Sequence, residues 1–143
     1  MERSESVKGV FVKIANVSED MGMLVKSKKN PFFKSNYVPL EVVQQELAPK
    51  LAKHKLGISQ PLYETGIITI ATDLETGEWV AFPAQINHDN LKPQDQMSGV
   101  TYMKRYALVG LFNLQTGDKD DDGNRASGKI QTQAKEELTD LEF

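Results

Sequence analysis

The residues of this chain best suited to chemistry crowd into one short run, Ser98-Gly99-Val100-Thr101-Tyr102-Met103-Lys104-Arg105-Tyr106. Two aromatic rings, two cations, two hydroxyls and a glycine lie together there. Successive helical residues turn by about 100°, which groups Tyr102, Arg105 and Tyr106 on one side and sets Val100, Ala107 and Leu111 roughly opposite. Rings beside a guanidinium suit a strand of unpaired bases, which stacks on π faces while cations hold its phosphates. The same pattern fits a core helix whose tyrosines keep their hydroxyls wet. Both readings stay open on this stretch alone.

A second aromatic–basic run spans Lys26 to Tyr37, with Lys28, Lys29 and Lys34 among Phe32, Phe33 and Tyr37. Lysines neutralise phosphates without reading sequence, and the rings either stack on bases or plug the loop into the core. The net charge of −3 conceals an uneven distribution. Residues 1–117 carry a net +1, residues 118–143 a net −4, and residues 24–55 a net +5. A basic region beside an acidic tail is an asymmetry found in polyanion binders; a solvated lysine-rich surface explains it equally well.

The third cluster is Asp118-Lys119-Asp120-Asp121-Asp122-Gly123-Asn124. Carboxylates at the first, third and fifth places with glycine at the sixth match the start of an EF-hand loop, but its twelfth place is Lys129 rather than a bidentate glutamate. A weaker divalent site at Asp118, Asp120 and Asp122 stays open, with a solvated acidic turn as the simpler reading. Magnesium there is the one cofactor the sequence allows for, and none is required. With no cysteine, thiolate zinc sites and cysteine nucleophiles are excluded. Neither a nucleophile elbow nor a GxxxxGK[ST] phosphate loop occurs, and His54 and His88 read as surface residues. The expectation is a binding protein rather than an enzyme. A metal-dependent nuclease built on the three aspartates is the enzymatic alternative.

These residues must be positioned by a single domain of ordinary composition, 39% hydrophobic and 26% charged in 143 residues. Val7, Val10, Phe11, Ile14, Val17 and Met21 recur at helical spacing, predicting a first helix over about 4–23. Pro39 opens a second, with Leu40, Val43, Leu47 and Leu51 inward, Pro49 expected to kink or split it and Gly57 to stop it. Ile58 to Leu62, Ile67 to Thr72 and Glu78 to Phe82 read as strands, the last two as an antiparallel hairpin. A third helix starts at Asp95 or Ser98 and runs to Phe112. The expected fold is therefore α+β in the order α-α-β-β-β-α, a small antiparallel sheet of about three strands flanked by helices. The expected divisions are a folded domain over 1–117, an acidic loop over 118–128 and a mobile acidic tail over 129–143. No apolar run approaches the ~18 residues of a membrane span, and the first residues lack a signal-peptide core, so a cytoplasmic protein without membrane contact is expected.

Three of these stretches, taken in order, resemble the Erf-type (essential recombination function) single-strand annealing proteins of phages and prophages. Asn30-Pro31-Phe32-Phe33-Lys34-Ser35-Asn36-Tyr37 is similar to that family's NPxFKSxY element, Gly99-Val100-Thr101-Tyr102-Met103-Lys104-Arg105-Tyr106 to its central TYxxRY element, and Asp120-Asp121-Asp122-Gly123-Asn124 to its DDDGN element. Ser98-Gly99-Val100 stands where the family more often has Gly-Ser-Ala. The resemblance covers about residues 7–126. It implies ATP-independent binding of single-stranded DNA and annealing of complementary strands in phage homologous recombination, by a small sheet flanked by helices that assembles as a ring or helical filament. It further implies a bacterial host cytoplasm, a role beside DNA repair, and a phage exonuclease or a host single-strand binding protein as partners. Under it, Lys104 and Arg105 are expected on phosphates, with Arg105 the more favoured because helix geometry carries Lys104 toward the apolar side. Tyr102 and Tyr106 stack on bases or shape the groove. Ser98 and Thr101 donate to phosphate near the helix start, and Lys28, Lys29 and Lys34 form the other wall. A passive single-strand binder without annealing activity is the nearest alternative. The acidic run Glu136 to Phe143, ending in phenylalanine, resembles the partner-recruiting tips of bacterial single-strand binding proteins.

Overall fold

The computed structural model describes residues 1–22, 24, 38–85 and 92–116. Along them run β1 (Glu2–Arg3), α1 (Lys8–Asp20), α2 (Leu40–His54), β2 (Leu56–Ser59), β3 (Leu62–Tyr63), β4 (Gly66–Asp73), β5 (Trp79–Gln85) and α3 (Pro93–Leu111). The fold is α+β as expected, but the antiparallel sheet has five strands rather than about three. Its order is β1-β5-β4-β2, with β3 also paired to β4.

The β-rich run Gly66–Asp73 becomes the central strand because β-branched residues favour a pleated surface covered on at least one side. It pairs with β5 from Gly66↔Gln85 to Thr72↔Trp79. On its other edge β2 and β3 hold a single register, with Leu56↔Asp73 through Ser59↔Ile70 and then Leu62↔Ile67. They are one strand interrupted at Gln60-Pro61. Proline has no N–H to give the ladder, yet the Ile68 N–H still reaches the Pro61 carbonyl at 3.1 Å. The addition at the far edge is β1, two residues held to β5 at Glu2↔Ala81 and Arg3↔Val80.

The three helices pack over the row formed by Ile58, Ala71 and Val80, with Leu56 and Phe82 in the rows beside it. Val10, Ile14 and Val17 of α1, Val42, Val43 and Leu47 of α2, and Leu108 and Phe112 at the end of α3 complete that core. The predicted inner face of the second helix is therefore largely correct. Two local expectations are not. Pro49 neither splits nor ends α2, which continues to His54. Gly57 does not stop the helix either; Lys55 takes the left-handed conformation (φ 53°, ψ 45°), and Gly57 pairs with Thr72 inside β2. The strand begins so soon after the helix that the chain must reverse before the glycine is reached.

Two carboxylates, those of Glu78 and Asp73, fix α1 to the sheet. Its N-cap, Val7, offers no side-chain acceptor, and the Val10 N–H donates instead to Glu78 Oε1 at 3.2 Å. Gly9 lets this turn approach, since a Cβ there would collide with the Glu78 carboxylate and lie 2.7 Å from Asp73 Oδ2. Asp73, 1% exposed, accepts from Lys13 Nζ at 2.5 Å and from the Glu75 N–H at 2.9 Å. The Lys13 hydrogen bond, working against burial, holds the Asp73 carboxyl down at about 2.

Candidate nucleic-acid interface

Helix α3 carries most of the predicted interface. It starts at Pro93, where the missing N–H costs nothing and the fixed φ suits a helix. Ser98 and Thr101 consequently sit beyond the first turn, and the free N–H groups expected beside them belong to earlier residues. Both side chains are exposed, and the Thr101 hydroxyl donates back to the Met97 carbonyl at 3.3 Å.

The helix is rotated from its expected phase. Its buried residues are Val100, Arg105 and Leu108, and Phe112 follows them into the core. Arg105 is thus 5% exposed and does not share an open face with Tyr102. The reason is geometric: Arg105 lies seven residues before Phe112, about 20° away on the helical wheel, so the side that buries Phe112 takes Arg105 with it. Its guanidinium carbon stands 5.0 Å from the centre of the Tyr106 ring, a cation–π distance. Tyr106 in turn lies 4.4 Å from Tyr102, ring centre to ring centre, at 49°. Tyr102 is 52% exposed, so this pair offers one open aromatic edge to solvent.

Lys104 turns the other way, into a cleft between α2 and α3 with a volume of about 200 Å³. Leu47, Leu51, Ile58 and Leu108 supply apolar walls, and Gln44 and Gln60 supply amides. Gln60 sits at the interruption between β2 and β3, and its side-chain NH2 donates to Thr69 Oγ1 at 3.0 Å and to the Lys104 carbonyl at 3.1 Å. Those two bonds lock α3 to the sheet at the position of Lys104. Alternation with Leu56 and Ile58 already puts Gln60 on the helix-covered face; what the sequence does not show is that its amide meets a carbonyl of α3 there.

Most lysines of α1 and α2, and Lys55 just after α2, are already engaged. Lys13 bonds Asp73 and Glu75, Lys55 lies 3.8 Å from Glu75, and Lys53 Nζ and His54 Nε2 stand 2.9 and 3.0 Å from Asp20. Hydrogen bonds from Lys53 and then His54 pull the Asp20 carboxyl down to about 2. Lys104 differs: among the described residues its ammonium has no carboxylate partner. Lys104 and Tyr102 therefore present the available cation and the available ring of α3, one in the cleft and one on the open side.

A model of the ERF superfamily matches residues 10–140. The chain belongs to the ERF superfamily. No curated protein and no solved structure matches it. For this ERF-superfamily chain, the TYxxRY element lies on α3 with its first tyrosine out and its arginine in. Lys28, Lys29 and Lys34 of the earlier element, and Asp118, Asp120 and Asp122 of the acidic loop, lie outside the described residues. Among the described residues, no group of three or more histidines and carboxylates could hold a metal ion. Nor is any helix there long and apolar enough to cross a membrane.

Proposed function

We propose that this protein binds single-stranded DNA and anneals complementary strands without ATP, as a component of phage recombination. Membership of the ERF superfamily over residues 10–140 carries this reading. The chemistry of α3 agrees with it. Annealing makes and breaks no covalent bond; it needs phosphates held and base edges left free to search for partners. Lys104 serves as a phosphate contact, and the exposed Tyr102, backed by Tyr106, as a surface on which one base stacks. Arg105 acts from beneath by fixing the Tyr106 ring, with no phosphate of its own. Lys28, Lys29 and Lys34 extend the basic track, and several subunits, joined as a ring or filament in the cytoplasm of a bacterial host, align their tracks along one strand.

The deciding experiment mixes two complementary labelled oligonucleotides with and without the protein and follows duplex formation by fluorescence. Faster duplex formation than the free strands, with no nucleotide added, is the expected result. Tight binding with no acceleration would make the protein a passive single-strand binder, and cleavage of either strand in magnesium would make it a nuclease.

A further inference from the structure

The α2–α3 cleft sets aliphatic side chains beside two amides and an ammonium, a mixture that a DNA backbone alone does not use. Leu47, Leu51, Ile58 and Leu108 line it, and Lys104 stands at its side without a carboxylate partner among the described residues. Such a site fits an aliphatic side chain next to an acidic one. Outside the described residues one segment is rich in both; residues 86–91 offer Ile86 and Leu91 but the single carboxylate of Asp89. Glu136-Glu137-Leu138-Thr139-Asp140-Leu141-Glu142-Phe143 has four carboxylates, no cation and three large apolar residues. The basic stretch 25–37 would repel Lys104, and 117–135 holds one large aliphatic residue, Ile130.

Length allows the contact. Leu141 lies 25 residues beyond Thr116, where the described chain stops. A tether of that length spans up to about 80 Å, several times the ~13 Å radius of gyration of a domain this size. A tethered segment competes at an effective concentration of the order of millimolar, so even weak docking is populated.

We propose that segment Glu136–Phe143 docks in the α2–α3 cleft of its own chain, leucine against the apolar walls and a carboxylate on Lys104, and so competes with DNA phosphate for that ammonium. The docking stands by itself; its effect on DNA rests on the function proposed above. The segment then acts as an internal mimic of the polyanion, screening the interface until a strand long enough to occupy several subunits displaces it.

The absence of native cysteine makes the contact directly testable in the full chain. Ala48 lines the cleft and is exposed, whereas Gly110 is exposed on open ground where a Cβ meets nothing within 4 Å. An Ala48→Cys/Leu141→Cys chain is expected to form an intramolecular disulfide several-fold faster than a Gly110→Cys/Leu141→Cys chain. Equal rates would overturn the docking, and disulfides between molecules would overturn its assignment to the same chain. The second measurement uses Leu138→Ser/Leu141→Ser, which leaves every charge in place. Its affinity for a single-stranded oligonucleotide at low salt should rise by about three- to tenfold, the gain expected when a tethered competitor is removed. Unchanged affinity would overturn the competition. If neither the parent nor the variant binds DNA, the proposed function fails, while the disulfide rates still decide the docking.

Discussion

Replacing Lys104 by alanine separates a phosphate contact from a structural role, because the side chain does nothing visible for the fold. The carbonyl of Lys104, not its ammonium, accepts the Gln60 bond, so Lys104→Ala leaves the lock between α3 and the sheet in place. Alanine also favours a helix at least as well as lysine, so the change in stability should stay within about 0.5 kcal/mol. Each phosphate neutralised on a single strand contributes about −0.7 to the slope of log affinity against log salt. Losing one contact should therefore flatten that slope by about 0.7 and weaken binding about eightfold near 50 mM salt but only about threefold near 200 mM. Fluorescence anisotropy over a salt series, with a melting curve for each protein, reads both quantities. The comparison belongs in the Leu138→Ser/Leu141→Ser chain, where relief of tail competition cannot offset the lost contact. A slope parallel to the parent's, in a variant that melts at the parent's temperature, would refute the assignment. Arg105→Ala supplies the contrast: loss of a buried cation–π contact worth up to about 2 kcal/mol should lower the melting temperature and leave the salt slope intact. A normally melting Arg105→Ala with a flattened slope would move the phosphate contact to the buried guanidinium.

Three further outcomes test the framework around this site. Gly66→Ala should destabilise by about 1–3 kcal/mol in chemical denaturation, because its Cβ would run into the Ala84 carbonyl and stand 2.8 Å from the Gln85 Cα, backbone that cannot turn aside. Gln60→Ala should cost about 1–3 kcal/mol for its two part-buried hydrogen bonds and loosen α3, seen as faster amide exchange around Lys104. Asp20 and Asp73 are both held at about 2, below the ordinary 3.8, so the folded state binds fewer protons than the unfolded one in between. Their contribution is then complete above about pH 4 and is lost as pH falls toward 2; urea midpoints should drop across that window, and less steeply in Asp73→Asn.

The helices were legible in the sequence because their apolar residues recur with the right period over 13 or more residues, and the central hairpin because two β-rich runs flank a turn composition. Val10, Ile14 and Val17 on α1 are a clear instance, each confirmed in the core. What escaped depends on distant partners. Two residues of β1 form a strand only because β5 lies beside them, and the split of β2 from β3 follows from a proline in the middle of a fixed register. The phase of α3 escaped for another reason. A helix with Val100, Leu108 and Phe112 at differing angles admits two inner faces, and a sequence does not say that an arginine will be buried against a tyrosine. Helix geometry carries Lys104 toward the apolar side, and it lines the cleft, whereas Arg105, favoured by the motif, lies beneath the surface. The shared motif names these residues without saying which of them faces solvent.

The carboxylate of Glu78 that receives the first turn of α1 has a consequence for how the chain is made. That hydrogen bond joins residues 68 apart, and Val7 offers the helix no cap of its own. During synthesis α1 leaves the ribosome well before its acceptor exists, as a short helix of 13 residues that is marginal in isolation. Its hydrophobic stripe must wait through the making of α2 and β4 until the turn ahead of β5 arrives. A helix made early is thus among the last elements to settle, and the closing of the β4–β5 hairpin is the event that lets it do so.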